Sequence, residues 1–132
     1  MKKIFSWIVL IVAAIAFVGC TKNEDSKENA ILGTWRLYRE VYENPDGSIM
    51  WEDDDWDYYV MRYTFKEDGK LEVFDDGDYA NGSYSISGDQ LILNDGYYTT
   101  TCTIRTLTAT ELVIVEKDSS GGSDIYYLKR VN

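Results

Sequence analysis

The chain has 132 residues, 23 Asp and Glu against 13 Lys and Arg, a formal net charge of −10 and no histidine. That length holds one domain of ordinary size, and the acidic excess repels the phosphates of a nucleic acid, which is excluded as a partner. Without histidine the Ser-His-acid and Cys-His arrangements are gone, and so is ordinary zinc ligation.

Met1-Lys2-Lys3 gives a positive start, Ile4 to Val18 is a run of 15 nearly all apolar residues, and Gly19-Cys20 closes it. The run is short for a membrane span, which needs about 20 residues, but it suits a secretory signal. Phe17-Val18-Gly19-Cys20 resembles a bacterial lipobox, with Phe17 where Leu is usual. The resemblance implies a signal peptide over residues 1–19, lipidation of Cys20, and the membrane as a partner through that lipid anchor. Each buried CH₂ of an acyl chain contributes about 0.8 kcal/mol, so two or three chains hold a protein on a bilayer where one is marginal. An ordinary cleaved signal and an uncleaved anchor helix are the alternatives.

Residues 20–30 continue as a polar, acidic stretch with no aromatic residue, unable to bury enough surface to fold alone, and are expected to form a flexible tether. Lys22 followed by Glu24 and Asp25 resembles the short tag that sends lipoproteins of Bacteroidota to the outer leaflet. It implies an outer-membrane, lipid-anchored protein on the cell surface or periplasmic face. Cleavage before Cys20 would leave 11 bases against 23 acids, a net charge of −12, which disfavours close lateral contact with an anionic membrane surface. Cys102 would then be the lone thiol. No intramolecular disulfide is possible, and a buried structural role is expected because a reactive thiol wants a base.

From residue 31 to residue 132, Gly, Asn, Asp and Ser recur between short apolar runs, as in an antiparallel all-β domain. Thr34 to Glu43 reads as a first strand with Trp35, Leu37 and Val41 on one face and Arg36, Glu40 and Tyr42 on the other. Gly33 permits close backbone approach, and Trp35 suits the closed end of a barrel or a plain core position. Asn44-Pro45-Asp46-Gly47 is a turn. Ile49-Met50-Trp51 reads as a short return or flap, and residues 52–57, with five carboxylates in six positions, as a loop. Tyr58 to Lys66 alternates Tyr59, Met61, Tyr63 and Phe65 on one face with Arg62, Thr64 and Lys66 on the other. Asp68-Gly69 turns it into Lys70 to Phe74.

After the turn at Asp75 to Asp78 comes Tyr79 to Ser87, with Tyr84 and Ile86 inward, then Leu91 to Leu93. Tyr97 to Leu107 is expected as one long Thr-rich strand, followed by Glu111 to Lys117, a loop over Ser119 to Ser123, and a last strand over Ile125 to Val131. About eight strands joined as neighbours close into a barrel whose interior holds side chains or one small ligand.

The opening Leu32-Gly33-Thr34-Trp35, the hairpin from Tyr63 to Leu71, the hairpin from Gly82 to Leu91 and the closing Tyr127-Leu128-Lys129-Arg130 resemble the lipocalin-like lipoproteins of Bacteroidota. The resemblance covers essentially all of residues 31–132. It implies an all-β, antiparallel, eight-stranded up-and-down barrel behind a signal-peptide helix and a tether. By position it also implies barrel-closing roles for Gly33, Trp35 and Arg130, with the Arg130 guanidinium packed across the Trp35 ring. The C-terminal helix of lipocalins proper is absent.

Neither a phosphate loop nor a carboxylate singled out by an apolar setting occurs, so a non-enzymatic protein without cofactor is expected. The acidic run at 52–57 lacks calcium-loop spacing and reads as solvated. Two functions of different class remain. In one, the barrel binds a small apolar or amphipathic molecule, with Trp35, Tyr59, Met61, Tyr63, Phe65, Tyr84 and Ile104 facing inward. In the other, the barrel is filled and works as a surface module that contacts proteins or glycans, which would suit the outward members of the pairs Tyr58-Tyr59, Tyr97-Tyr98 and Tyr126-Tyr127. So many bulky inward side chains leave room for at most a shallow pocket at the mouth opposite Trp35.

Overall fold

The computed structural model describes residues 27–54, 56 and 59–131. The expected signal peptide, Cys20 and most of the expected tether lie outside the described residues, as does Tyr58. Among the described residues there are nine strands: β1 Gly33–Glu43, β2 Ile49–Asp53, β3 Met61–Phe65, β4 Lys70–Asp75, β5 Asp78–Ser87, β6 Gln90–Asn94, β7 Thr99–Leu107, β8 Glu111–Lys117 and β9 Ser123–Arg130.

From β3 to β9 each strand pairs antiparallel with the next, and β1 closes the ring by pairing with β3 on one edge and β9 on the other. The ring is therefore a closed eight-stranded up-and-down barrel, which leaves no free edge within it. β2 is an extra strand. It pairs with the C-terminal half of β1, on the edge whose N-terminal half pairs with β3. The return expected at residues 49–51 thus runs on through Glu52 and Asp53, the first acids of the expected loop. The exposed edge strand keeps these carboxylates in water, and Glu52 meets Arg39 at 2.5 Å.

Two-residue turns carry the hairpins where the sequence supplies residues that tolerate positive φ. Asp76 and Gly77, at φ 46° and 109°, join β4 to β5. Inside the ring a continuous apolar cluster runs from Trp35, Leu37 and Phe65 through Leu71, Leu91 and Ile104 to Leu112, Ile114 and Leu128. A smaller cluster of Val41, Val113 and Ile125 lies apart from it.

Residues 27–30, expected as the end of the tether, instead form a helical turn that continues into Ile31. Ile31 supplies the reason, because it is wholly buried against the core and its carbonyl accepts the Trp35 indole N–H at 2.8 Å. Lys27 also pairs with Asp89 on the β5–β6 turn. The turn plugs the end of the barrel at which β1 begins and β9 ends, here called the floor. The opposite end, at which β1 ends and β9 begins, is the mouth.

The phase of β1 differs from the expected alternation. A bulge between Leu37 and Arg39 shifts its register against β9, so that Leu37 opposes Leu128 and Glu40 opposes Tyr126. An extra residue in one strand reverses which side chains point inward beyond it. Glu40 therefore joins Leu37 on the inner face, whereas Val41 turns outward into the smaller cluster with Val113 and Ile125. The expected strands at both tyrosine pairs near the mouth are also shorter. β3 starts only at Met61, leaving Tyr59 in the connection. β7 starts at Thr99, because Asp95 caps a turn by accepting the Tyr97 and Tyr98 backbone N–H groups, each at 2.8 Å.

Candidate functional site: a cavity at the mouth

At the floor the structure places the Arg130 guanidinium 4.3 Å from the Trp35 ring centroid, with Arg130 and Trp35 as opposite residues in the β1–β9 pairing. Three backbone carbonyls hold the guanidinium. Nε donates to Ala109 at 2.7 Å, Nη1 to Leu32 at 2.6 Å and Nη2 to Ala30. One side chain thus ties the last strand, the β7–β8 turn and the helical plug together over a fully buried Trp. Phe65 packs edge-on against Tyr84, with ring centroids 4.9 Å apart, and the Tyr84 hydroxyl donates to the Lys66 carbonyl at 2.7 Å. The floor half of the barrel is therefore filled by side chains.

The mouth half is not. A cavity of about 300 Å³ opens there, at the small end of the range in which ligand pockets fall. Its apolar wall comes from Leu37, Leu71, Val73, Leu93 and Ile114, alternate residues of β1, β4, β6 and β8. Trp56, Tyr63, Tyr98 and Tyr126 add rings, and Met61, Thr100 and Cys102 complete the lining beside three acids, Glu40, Asp95 and Glu116. Trp56 is held at the site by two hydrogen bonds of its own. Its indole N–H donates to the Asp53 carbonyl at 3.1 Å, and its own carbonyl accepts from Arg36 at 2.9 Å. A second depression of about 530 Å³ lies outside the floor, walled by Glu28, Glu67, Asp68 and Tyr84. Its lining is mixed, with Leu32 and Ile86 beside these polar groups.

Of the seven side chains read from sequence as facing inward, Met61 and Tyr63 line the mouth cavity, and Trp35 closes the floor. Tyr59 does not. It lies beyond the start of β3, donates its hydroxyl to Asp75, and rests against Trp56 at 5.7 Å. Phe65 and Ile104 are buried in the core and Tyr84 sits at the floor, so these three pack the barrel rather than the cavity. Among the expected outward rings, Tyr97 and Tyr98 both stand out at the mouth, 84% and 78% exposed, because they belong to a turn and not to a strand. Tyr126 and Tyr127 do split between faces. Tyr126 lines the cavity, and Tyr127 faces outward beneath the Arg39 guanidinium at 4.9 Å.

Sequence reasoning missed Glu40 and Glu116, and the expectation that no acid has an apolar setting is corrected here. Both carboxyls are held above their ordinary values by burial first. The neighbouring acids add to this, Asp124, Asp53 and Glu116 for Glu40, and Asp124 and Asp118 for Glu116. Burial likewise raises the Tyr63 and Tyr126 hydroxyls and pushes the Cys102 thiol up to about 12. Asp95 goes the other way, since the backbone N–H groups of Tyr98 and Tyr97 stabilise its charge. Glu116 had a sequence signal, the alternation Leu112, Ile114, Glu116 that keeps it on the inner face of β8. Glu40 had none, because the bulge that turns it inward is not written in the alternation of apolar residues.

Among the described residues no group of three or more His, Cys, Asp or Glu is arranged to hold a metal ion. The cavity offers apolar walls, rings and carboxylates, a set suited to holding a small molecule.

A closed eight-stranded antiparallel barrel, plugged at one end and hollow at the other, is the architecture of a lipocalin-like barrel. The sequence agrees, since residues 31–114 match the family model for the lipocalin-like domain, and the chain belongs to that family. Among solved structures, the bovine lipocalin allergen Bos d 2 is similar at 15% identity and a TM-score of 0.49, over 77% of this chain and 73% of that one. A deswapped triple mutant of bovine odorant-binding protein is similar at 14% identity and a TM-score of 0.44, over 78% and 76%. The complex of bovine odorant-binding protein with undecanal is similar at 15% and 0.44, over 77% and 72%. No curated protein matches the chain.

Proposed function

We propose that this protein is a lipid-anchored envelope lipoprotein whose barrel carries a small apolar or amphipathic molecule in the mouth cavity. The observation that carries the reading is the division of the interior. The floor half is packed solid around Trp35 and Phe65, whereas the mouth half leaves about 300 Å³ lined by Leu37, Leu71, Val73, Leu93 and Ile114. A barrel that served only as a scaffold gains stability by filling such a space, since each missing methylene costs dispersion contacts. The volume suits a compact ligand and excludes a large lipid. The anchor rests on the sequence alone, on Lys2-Lys3, the apolar run and Cys20, and the outer leaflet is the destination that Lys22, Glu24 and Asp25 suggest.

A second reading is favoured by exposed rings around the mouth. Trp51 on β2, with Tyr97 and Tyr98 on the β6–β7 turn, gives a surface suited to a protein or glycan partner. Native mass spectrometry of the protein purified from its own cells separates the two. A stoichiometric small-molecule adduct is the result expected here. A bare barrel that co-purifies with a partner supports the second reading. The same spectra should show an N-terminal acylated Cys20, and intact Met1 or an unmodified Cys20 thiol overturns the anchor.

A further inference from the structure

We infer that the mouth cavity selects ligands with a cationic head, so that its occupant is an amine or quaternary ammonium carried on a compact apolar body and not a fatty acid. The inference rests on the reading of the cavity as a carrier site and names the charge of what it carries.

Three features of the lining converge on this. Glu40 and Glu116 stand on the inner faces of β1 and β8 with no hydrogen bond or ion pair among the described residues, and the groups that perturb Glu40 after its own burial are all further acids. A half-buried carboxylate left without a partner is unfavourable, and two in one site also repel each other. A ligand cation removes both costs at once.

Secondly, two hydroxyls in the same lining lack good partners. Tyr63 is partly buried, and its only hydrogen-bond contact among the described residues is the Met61 thioether sulfur at 3.9 Å, a weak acceptor; the Tyr126 hydroxyl makes none among the described residues. Tyr126 is opposite Glu40 in the β1–β9 pairing, so the two residues share one part of the cavity wall.

Thirdly, no Lys or Arg lines the cavity among the described residues, whereas Trp56, Tyr63, Tyr98 and Tyr126 do. Aromatic faces attract a cation that has shed its water. An anionic head entering the same site would meet three carboxylates and ring faces, with hydroxyl donors but no positive charge to offset the repulsion. The bulge at Tyr38 is what creates the asymmetry, because it exchanges Val41 for Glu40 on the inner wall.

The test compares three eight-carbon probes that differ only in the head: octylammonium, 1-octanol and octanoate. They are titrated calorimetrically into the full chain held in nanodiscs of zwitterionic lipid, with empty discs as the reference. Octylammonium is expected to bind at least about tenfold tighter than octanol, and octanoate weakest. In the double variant Glu40→Gln with Glu116→Gln, octylammonium should fall to within about threefold of octanol while octanol keeps its affinity. Equal binding of octylammonium and octanol by the wild type, or tightest binding of octanoate, overturns the charge selection and leaves the carrier reading standing. Failure of all three probes to bind overturns both. A preference for octylammonium that survives in the double variant overturns the assignment to these two carboxylates. An Asp78→Asn control, on an exposed residue of β5, should keep the wild-type order.

Discussion

Replacing Arg130 by Ala should loosen the floor of the barrel more than any other single surface change. Its guanidinium meets the carbonyls of Ala30, Leu32 and Ala109 and lies 4.3 Å from the Trp35 centroid. Hydrogen bonds to a charged group contribute about 1.5–3 kcal/mol each, and the ring contact about 0.5–2 kcal/mol. Because Arg130 is half-buried and its bond to Ala109 is exposed, only the two part-buried bonds to Ala30 and Leu32 are counted, at the lower end, and the loss should be about 3 kcal/mol. For a domain of this size that is a fall in Tm of about 12–24 °C. Arg130→Lys keeps the charge but offers one compact head in place of a planar fork, so it should recover less than half of the loss. Thermal unfolding measures the size, and hydrogen exchange locates it. The amides of Ile31 and Leu32 should lose protection while those of β4 and β5 keep theirs. A drop below about 4 °C for Arg130→Ala, or faster exchange spread evenly through the barrel, refutes the account of Arg130 as the strap across Trp35. Arg105→Ala, on an exposed residue of β7, is the control and should change little.

The carboxyl of Glu40 is raised above its ordinary 4.5, so its contribution to stability is present below that pH and lost as pH rises through the folded value. Glu40→Gln should therefore unfold at a higher temperature than wild type at pH 7 and at the same temperature near pH 4; a lower Tm at pH 7 would mean that the carboxylate has a stabilising partner. Cys102, 2% exposed and with its thiol pushed up to about 12, should react with a disulfide reagent at pH 8 only when the protein unfolds. Prompt labelling of the native protein contradicts that burial. Gly82→Ala places a Cβ 1.7 Å from the Asn94 carbonyl oxygen, a backbone atom that cannot step aside, and should cost about 3 kcal/mol in urea unfolding. An unchanged midpoint sinks the close approach of β5 and β6 there.

The sequence by itself determined the strands and their order, because two-residue periodicity and turn chemistry are local: Asp76-Gly77 needs only its own φ tolerance to join β4 to β5. It also determined the floor, where Trp35 and Arg130 are each distinctive enough to be matched by residue type. Only the tertiary structure decided the mouth. Whether Glu40 faces solvent or cavity depends on one extra residue at the β1 bulge, which is fixed by pairing with β9 some 85 residues away and not by neighbours in the chain. Ring closure likewise decided that Tyr63 and Met61 border a void while Phe65, two residues on from Tyr63, is packed solid. Side chains at equivalent phase on one strand differ in role because the barrel is plugged at one end and open at the other. That difference exists only once all eight ring strands are in register.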